Sequence, residues 1–197
     1  MTRKKALELL HKNMKNINLR RHCYAVEATM RALAERLYSE KPKKELKKIV
    51  DNWGIAGLLH DSDYELTKET AKKDHTKKTL KWLKAIDADA SIYDAVAAHA
   101  WNYVDGAPKP KTKMDWALYT CDELTGLIVA VALVKPEKKL SSVTVDSVIK
   151  KWKQKSFAAG VDRAQIEDCE LRLGIELRNF IDITLSAMQG IHDDLGL

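Results

Sequence analysis

Three observations predict an all-α fold for this 197-residue chain: apolar residues recur at three and four spacing, alternating strand-like runs are scarce, and only eight Gly and four Pro interrupt the pattern. The periodicity places helices at about 2–15, 19–39, 43–60, 68–84, 90–102, 114–134, 143–152, 162–173 and 175–194. The first carries a stripe of Leu7, His11 and Met14, and the second one of Leu19, His22, Val26 and Leu33. Pro42 separates the second from the third, because proline breaks the helical hydrogen-bond ladder. The third ends in Trp53-Gly-Ile-Ala-Gly-Leu-Leu-His-Asp, where Gly54, Ala56 and Gly57 let neighbouring helices approach closely. Lys72, Lys73, Lys77 and Lys78 give the fourth a wet side. Ile92, Ala95, Val96 and His99 share a face of the fifth, which runs out before the loop Asp105-Gly-Ala-Pro-Lys-Pro. The sixth sets Asp122 among Leu118, Gly126 and Val129 and stops at Pro136. Asp162, after Gly160, is the N-cap of the helix that follows it. With no internal repeat and no long linker, the segment after about 140 reads as a helical extension of one core, giving a single domain.

Composition narrows the function classes. Apolar residues make up 45% of the chain, enough for a proper core. No apolar run is expected to approach the ~20 residues that cross a bilayer, and the start lacks a signal-peptide core, so the expected location is cytoplasmic. Cys23, Cys121 and Cys169 are dispersed singles without a CxxC pair, which excludes the zinc-finger reading and fits buried thiols in a reducing compartment. The net charge of +6 is carried by lysine runs interleaved with acids, so these runs read as solvated helix faces rather than a nucleic-acid stripe. A modest positive field still favours small anionic ligands.

The chemistry-bearing residues are His22, His60-Asp61, His75, His99 and Asp122. Imidazole and carboxylate together suit borderline first-row metals, because neutral imidazole offers a lone pair while aspartate supplies charge and can bridge two ions. His22, His99 and Asp122 fall on apolar stripes, where an unpartnered polar group is costly. A buried carboxylate is the most demanding, since it needs a cation, whether a metal or an inward-reaching Arg or Lys. For His75, among its lysines, a surface position stays open. His11 and His192 are read as structural.

In order and spacing, this set resembles the HD-domain superfamily of metal-dependent phosphohydrolases over roughly residues 20–125. The segments Gly57-Leu-Leu-His-Asp-Ser-Asp-Tyr-Glu, Asp122-Glu-Leu-Thr-Gly-Leu-Ile-Val-Ala and Lys155-Ser-Phe-Ala-Ala-Gly-Val extend the resemblance to a subfamily of predicted HD hydrolases over most of the chain. The resemblance implies an HD-domain helical bundle with additional C-terminal helices. It implies one or two divalent transition-metal ions, among which Mn, Fe, Co, Ni and Zn are not distinguished. His22, His60, Asp61 and Asp122 would hold the first ion, and His75 and His99 would complete a second site bridged by Asp61. The implied activity is hydrolysis of a nucleotide-like or other small phosphate ester or anhydride by a hydroxide nucleophile, with Asp61 catalytic through its bridge. Two ions and two carboxylates leave an excess of about two positive charges for an anionic substrate. The resemblance also makes Glu65 the candidate acid/base, with Asp63 beside it; by position alone both equally read as exposed loop carboxylates. Lys155 and Arg163 are the candidate phosphate-binding residues, from a segment whose Gly160 permits a tight turn. Two alternatives accompany this expectation: a di-iron oxygenase on the same fold, and a non-catalytic nucleotide-sensing module.

Overall fold

The computed structural model describes every residue from Met1 to Leu197, and all its regular structure is helical. In chain order the helices are α1 Arg3–Asn13, α2 Ile17–Leu37, α3 Lys43–Leu59, α4 Tyr64–Thr67, α5 Ala71–Asp74, α6 Lys77–Ala85, α7 Ala90–Ala98, α8 Lys113–Leu133, α9 Val145–Trp152, α10 Arg163–Leu173, α11 Leu177–Gln189 and α12 His192–Leu195. Their starts have local causes. The Asn16 side chain accepts from the N–H groups of Asn18 and Leu19, Asp89 caps α7 at Ser91, and Asp162 caps α10 at Ala164 and Gln165. Thr112 and Asp115 close a capping box at the head of α8, and Asp115 Oδ2 also accepts the Lys111 N–H at 2.9 Å.

Helices α2, α3, α7 and α8 pack against one another and bury Leu33, Leu58, Leu59, Ile92, Val96, Leu118 and Leu124 between them. The later helices join the same apolar core: α10 and α11 lie against α8, and Val148, Ile166, Phe180 and Met188 are fully buried with it. Cys23, Cys121 and Cys169 are free thiols inside this core. Lys43, Lys44, Lys47, Lys48, Lys77 and Lys78 are exposed, as solvated faces should be.

One expectation about α8 needs correction. At 21 residues it is long and apolar enough to cross a membrane, although no segment was expected to be. Yet 67% of its most apolar stretch is buried inside the protein, because it is the helix that α2, α7 and α10 surround.

The expected helix at about 68–84 is instead broken. After the single turns α4 and α5, His75 takes an extended backbone (ψ 142°) and Thr76 a left-handed one (φ 68°), and α6 starts afresh at Lys77. The cause is Asp63, whose carboxylate accepts the N–H groups of Thr76, Lys78 and Thr79 at 3.1, 2.9 and 3.1 Å. Those donors would otherwise belong to a continuous helix or go unpaired. The break turns the His75 ring inward.

The small residues of α3 act as expected at one position above all. A Cβ on Gly57 would lie 2.8 Å from the Val26 carbonyl oxygen of α2, a backbone atom that cannot rotate away. Gly126 of α8 has open space at the same place. Alanine gains about 1 kcal/mol of helix propensity over glycine, whereas overpacking costs about 1–3 kcal/mol. Gly57→Ala should therefore lose about 1 kcal/mol or more in denaturant unfolding, while Gly126→Ala should gain up to about 1 kcal/mol. Equal effects in the two variants would contradict the close approach of α2 and α3.

Candidate metal centre

Five backbone segments deliver the six predicted residues to one place. His22 comes from the second turn of α2, His60 and Asp61 from the end of α3, His75 from the break before α6, His99 from the end of α7, and Asp122 from the middle of α8. His60, His75 and His99 are buried, and Asp61 and Asp122 keep only 15% and 22% of their side-chain surface, so the cluster has one wet side.

The ring orientations are fixed from behind. His60 Nδ1–H donates to the Gly57 carbonyl at 2.7 Å and His99 Nδ1–H to the Val96 carbonyl at 2.6 Å. His75 Nδ1–H donates to Asp63 Oδ1 at 3.2 Å, and His22 Nδ1–H to Thr125 Oγ1 at 3.4 Å, whose own proton goes to the Asp122 carbonyl. With every Nδ1 committed as a donor, each neutral ring presents a bare Nε2 lone pair to the interior. Those atoms meet in pairs, His22 with His60 at 3.2 Å and His75 with His99 at 3.0 Å. Two lone pairs cannot bond to each other, so each pair requires a shared cation.

Asp61 stands between the pairs. Its Oδ2 lies 3.6 Å from both His22 and His60 Nε2, and its Oδ1 lies 3.1 and 3.5 Å from His75 and His99 Nε2. Asp122 Oδ1 completes the first group at 2.9 and 3.4 Å from His22 and His60. With bonds of about 2.0–2.1 Å, neighbouring ligands sit about 3.3–3.4 Å apart around a tetrahedral ion and about 2.9 Å apart around an octahedral one. Five of the eight observed separations fall within that range, and the other three, from Asp61 to His22, His60 and His99 at 3.5–3.6 Å, lie just beyond it. These buried His and Asp groups could hold a metal ion, and the donor set fits one.

The electrostatics show what a cation does there. Burial alone would lower the His60 pKa, but the nearby Asp61 and Asp122 carboxylates overcome it and lift it to about 9. Burial likewise opposes a proton on His75, yet its bonds to Asp61 and Asp63 lift it to about 10. His99 is pushed down, first by burial and then by its cationic neighbours, so it remains the acceptor of its pair. For Asp61 and Asp122 burial favours the neutral acid, but the imidazoles hold both carboxyls well below the usual carboxylate range. Protons thus occupy the positions that metal cations would take.

A cavity of about 420 Å³ opens on the wet side of the cluster. Besides Asp61, His75, His99 and Asp122 it is lined by Tyr64, Trp101, Asn102, Tyr103, Glu123, Asp162 and Gln165. Glu123 is a site residue that the sequence reading did not single out. Burial, reinforced by the adjacent Asp122 charge, raises its carboxyl to about 7, and its Oε2 accepts the Asp162 N–H at 3.2 Å. The available signal was its position directly after Asp122, about 100° around the same helix.

Three expected site residues lie elsewhere. Glu65 caps the start of α2, its Oε2 accepting the Lys15 and Asn16 N–H groups at 2.6 and 2.9 Å, and it does not line the cavity. Arg163 uses its guanidinium on the carbonyls of Trp152, Gln154, Phe157 and Val161, which clamps the loop ahead of α10. Lys155 is exposed and outside the cavity lining. Asp63, expected at the rim, is fully buried beneath His75. His11 pairs with Tyr24 at 2.6 Å and His192 is on the surface, both outside the cluster.

Comparison with protein-family models, curated proteins and solved structures returned no match.

The pKa directions fix a pH dependence for the metal-free protein. Raised imidazoles stabilise the fold fully below the unfolded value of 6.5 and lose that contribution as pH rises through about 9 to 10. Depressed carboxyls contribute above the unfolded value of 3.8 and lose it only as pH falls. With chelator present, the thermal midpoint should therefore decline between pH 6.5 and 10, and a divalent ion in excess should flatten the decline by replacing the protons. A chelated protein with a constant midpoint across that window would refute the shared-proton account.

Proposed function

We propose that this protein is a metal-dependent phosphohydrolase with two ions, acting on a small phosphate ester. One observation carries the reading: the two oxygens of Asp61 each face a separate pair of bare imidazole nitrogens. A carboxylate in that position could serve two ions at once, and the resemblance of the ligand order to HD-domain phosphohydrolases agrees with it. His22, His60, Asp61 and Asp122 would hold one ion; His75, His99 and Asp61 would hold the other, with coordination left open towards the cavity. Two such ions supply a nucleophile from water near neutral pH and a clamp for phosphoryl oxygens.

The chain's own residues have distinct tasks. Asp63 holds the His75 ring so that Nε2 faces Asp61. Tyr64 and Tyr103 stand edge-on to that ring, with centroids at 5.5 and 6.1 Å, and bring phenolic hydroxyls to the cavity wall. Burial raises the Tyr64 pKa, so its hydroxyl keeps its proton and can donate to a phosphoryl oxygen. Glu123 lines the cavity where Glu65 was expected to, and cations bound beside it would favour its ionised form.

Metal analysis and phosphate release test this directly. The native protein should bind two ions and hydrolyse at least one member of a broad phosphate-ester panel. Asp61→Ala should lose the paired stoichiometry, with activity falling by more than the roughly 10–100-fold that follows loss of an outer hydrogen-bond partner. Asp63→Asn should stay in that milder range and weaken one ion selectively, since Asp63 supports His75 and the backbone N–H groups beside it but none of the other predicted ligands. Two ions retained in Asp61→Ala would sink the bridge. A fully loaded native protein that releases no phosphate would sink the activity.

A further inference from the structure

The cavity that opens on the cluster contains no lysine or arginine. An enzyme that grips a polyphosphate normally surrounds it with cationic side chains, because Arg and Lys compensate phosphate oxygens beyond those held by metal. Here the excess of about two positive charges expected from two ions is cancelled by two further carboxylates, Glu123 and Asp162. One phosphate can be satisfied at the ions. A second or third would meet acid.

The wall facing the ions is rich in acceptors. Glu123 uses Oε2 on the Asp162 N–H, and Asp162 uses Oδ1 to cap α10, so each carboxylate has its other oxygen free for a ligand. Gln165 spends its amide N–H on the Tyr119 carbonyl at 2.6 Å, and Asn102 directs its amide nitrogen to the Tyr119 hydroxyl at 3.4 Å, which leaves both side-chain carbonyls as acceptors. Trp101, Tyr64 and Tyr103 add aromatic faces, and Lys109 already places its ammonium 4.9 Å from the Trp101 ring centre. Carboxylates, amide carbonyls and aromatic faces together recognise an ammonium group.

Building on the phosphohydrolase reading, we propose that the substrate is a monophosphate whose organic part carries an amino group, with the phosphate on the ions and the ammonium against Glu123 and Asp162. Nucleoside triphosphates and phosphorylated acids are excluded by the same wall. Selectivity comes from the side chains, and binding of the head from the metal ions.

Three hydrolysis-inert phosphonates with three-carbon chains test this on the zinc-loaded protein by calorimetry: 3-aminopropylphosphonate, propylphosphonate and 3-phosphonopropionate. The aminated compound should bind roughly tenfold tighter than the neutral one, the gain expected of one or two charge-assisted hydrogen bonds, and the acid at least as much weaker. Glu123→Gln and Asp162→Asn keep the Asp162 N–H bond and the α10 cap, so both variants should fold. Each should shrink the ratio of the amine's affinity to that of propylphosphonate. Equal binding of the amine and the acid, or an unchanged preference in both variants, overturns the proposal while the phosphohydrolase reading stands. If none of the three phosphonates binds, that reading fails, and the proposal fails with it.

Discussion

Asp61 sits in a ring of four imidazoles that all turn their Nε2 atoms towards it, and much of the local structure can be understood as what that arrangement demands. A carboxylate with only 15% of its side-chain surface exposed must be compensated by positive charge. Neutral imidazoles cannot do this, and the hydrogen bonds at Nδ1 fix them in the form that cannot donate inward. Some cation has to be shared within each pair. The raised pKa values of His60 and His75 express that demand as protons, and metal ions would answer it with more charge. Metal affinity is therefore competition with protons, so it should strengthen with pH until the imidazoles no longer bind them.

Holding five segments to this geometry requires support that is itself buried. Gly57 lets α3 lie against the α2 backbone, which sets the distance between His60 and His22. Nearby, Glu27 of α2 is almost fully buried, and Arg3 grips its carboxylate with bonds of 2.7 and 2.9 Å while Arg31 adds one at 3.0 Å. A two-toothed Arg–carboxylate pair fixes direction as well as distance. It ties α1 to α2 without entering the cavity lining.

What the sequence made legible divides along a physical line. Helices α2, α3, α7 and α8 follow from periodicity because their apolar stripes meet one core, and His22, His99 and Asp122 stood out as polar groups on those stripes. The break at His75 was hidden, since it depends on the Asp63 carboxylate reaching backbone N–H groups thirteen to sixteen residues away. The same limitation misplaced Glu65 and Arg163. Both are charged residues near the right segments, but tertiary contacts gave them backbone partners: the start of α2 for one and the loop carbonyls before α10 for the other. Glu123 went unread for the opposite reason, being one more acid on a helix until α10 and the Asp162 N–H closed over it.

The distribution of charge around the cavity gives binding an order. Without metal, the protons on His60 and His75 do no more than balance Asp61 and Asp122, while Glu123 and Asp162 also face the cavity and no lysine or arginine in the lining offsets them. With cations bound, the floor of the cavity becomes positive while the wall stays negative, so the site acquires a dipole that it lacked. An anionic head would then bind more tightly once metal is in place, and by linkage it would tighten the metal by the same factor. A scaffold arranged this way would discriminate by the direction of charge as well as by its amount, which is how a cavity lined by no lysine or arginine could still favour one orientation of a phosphorylated ligand.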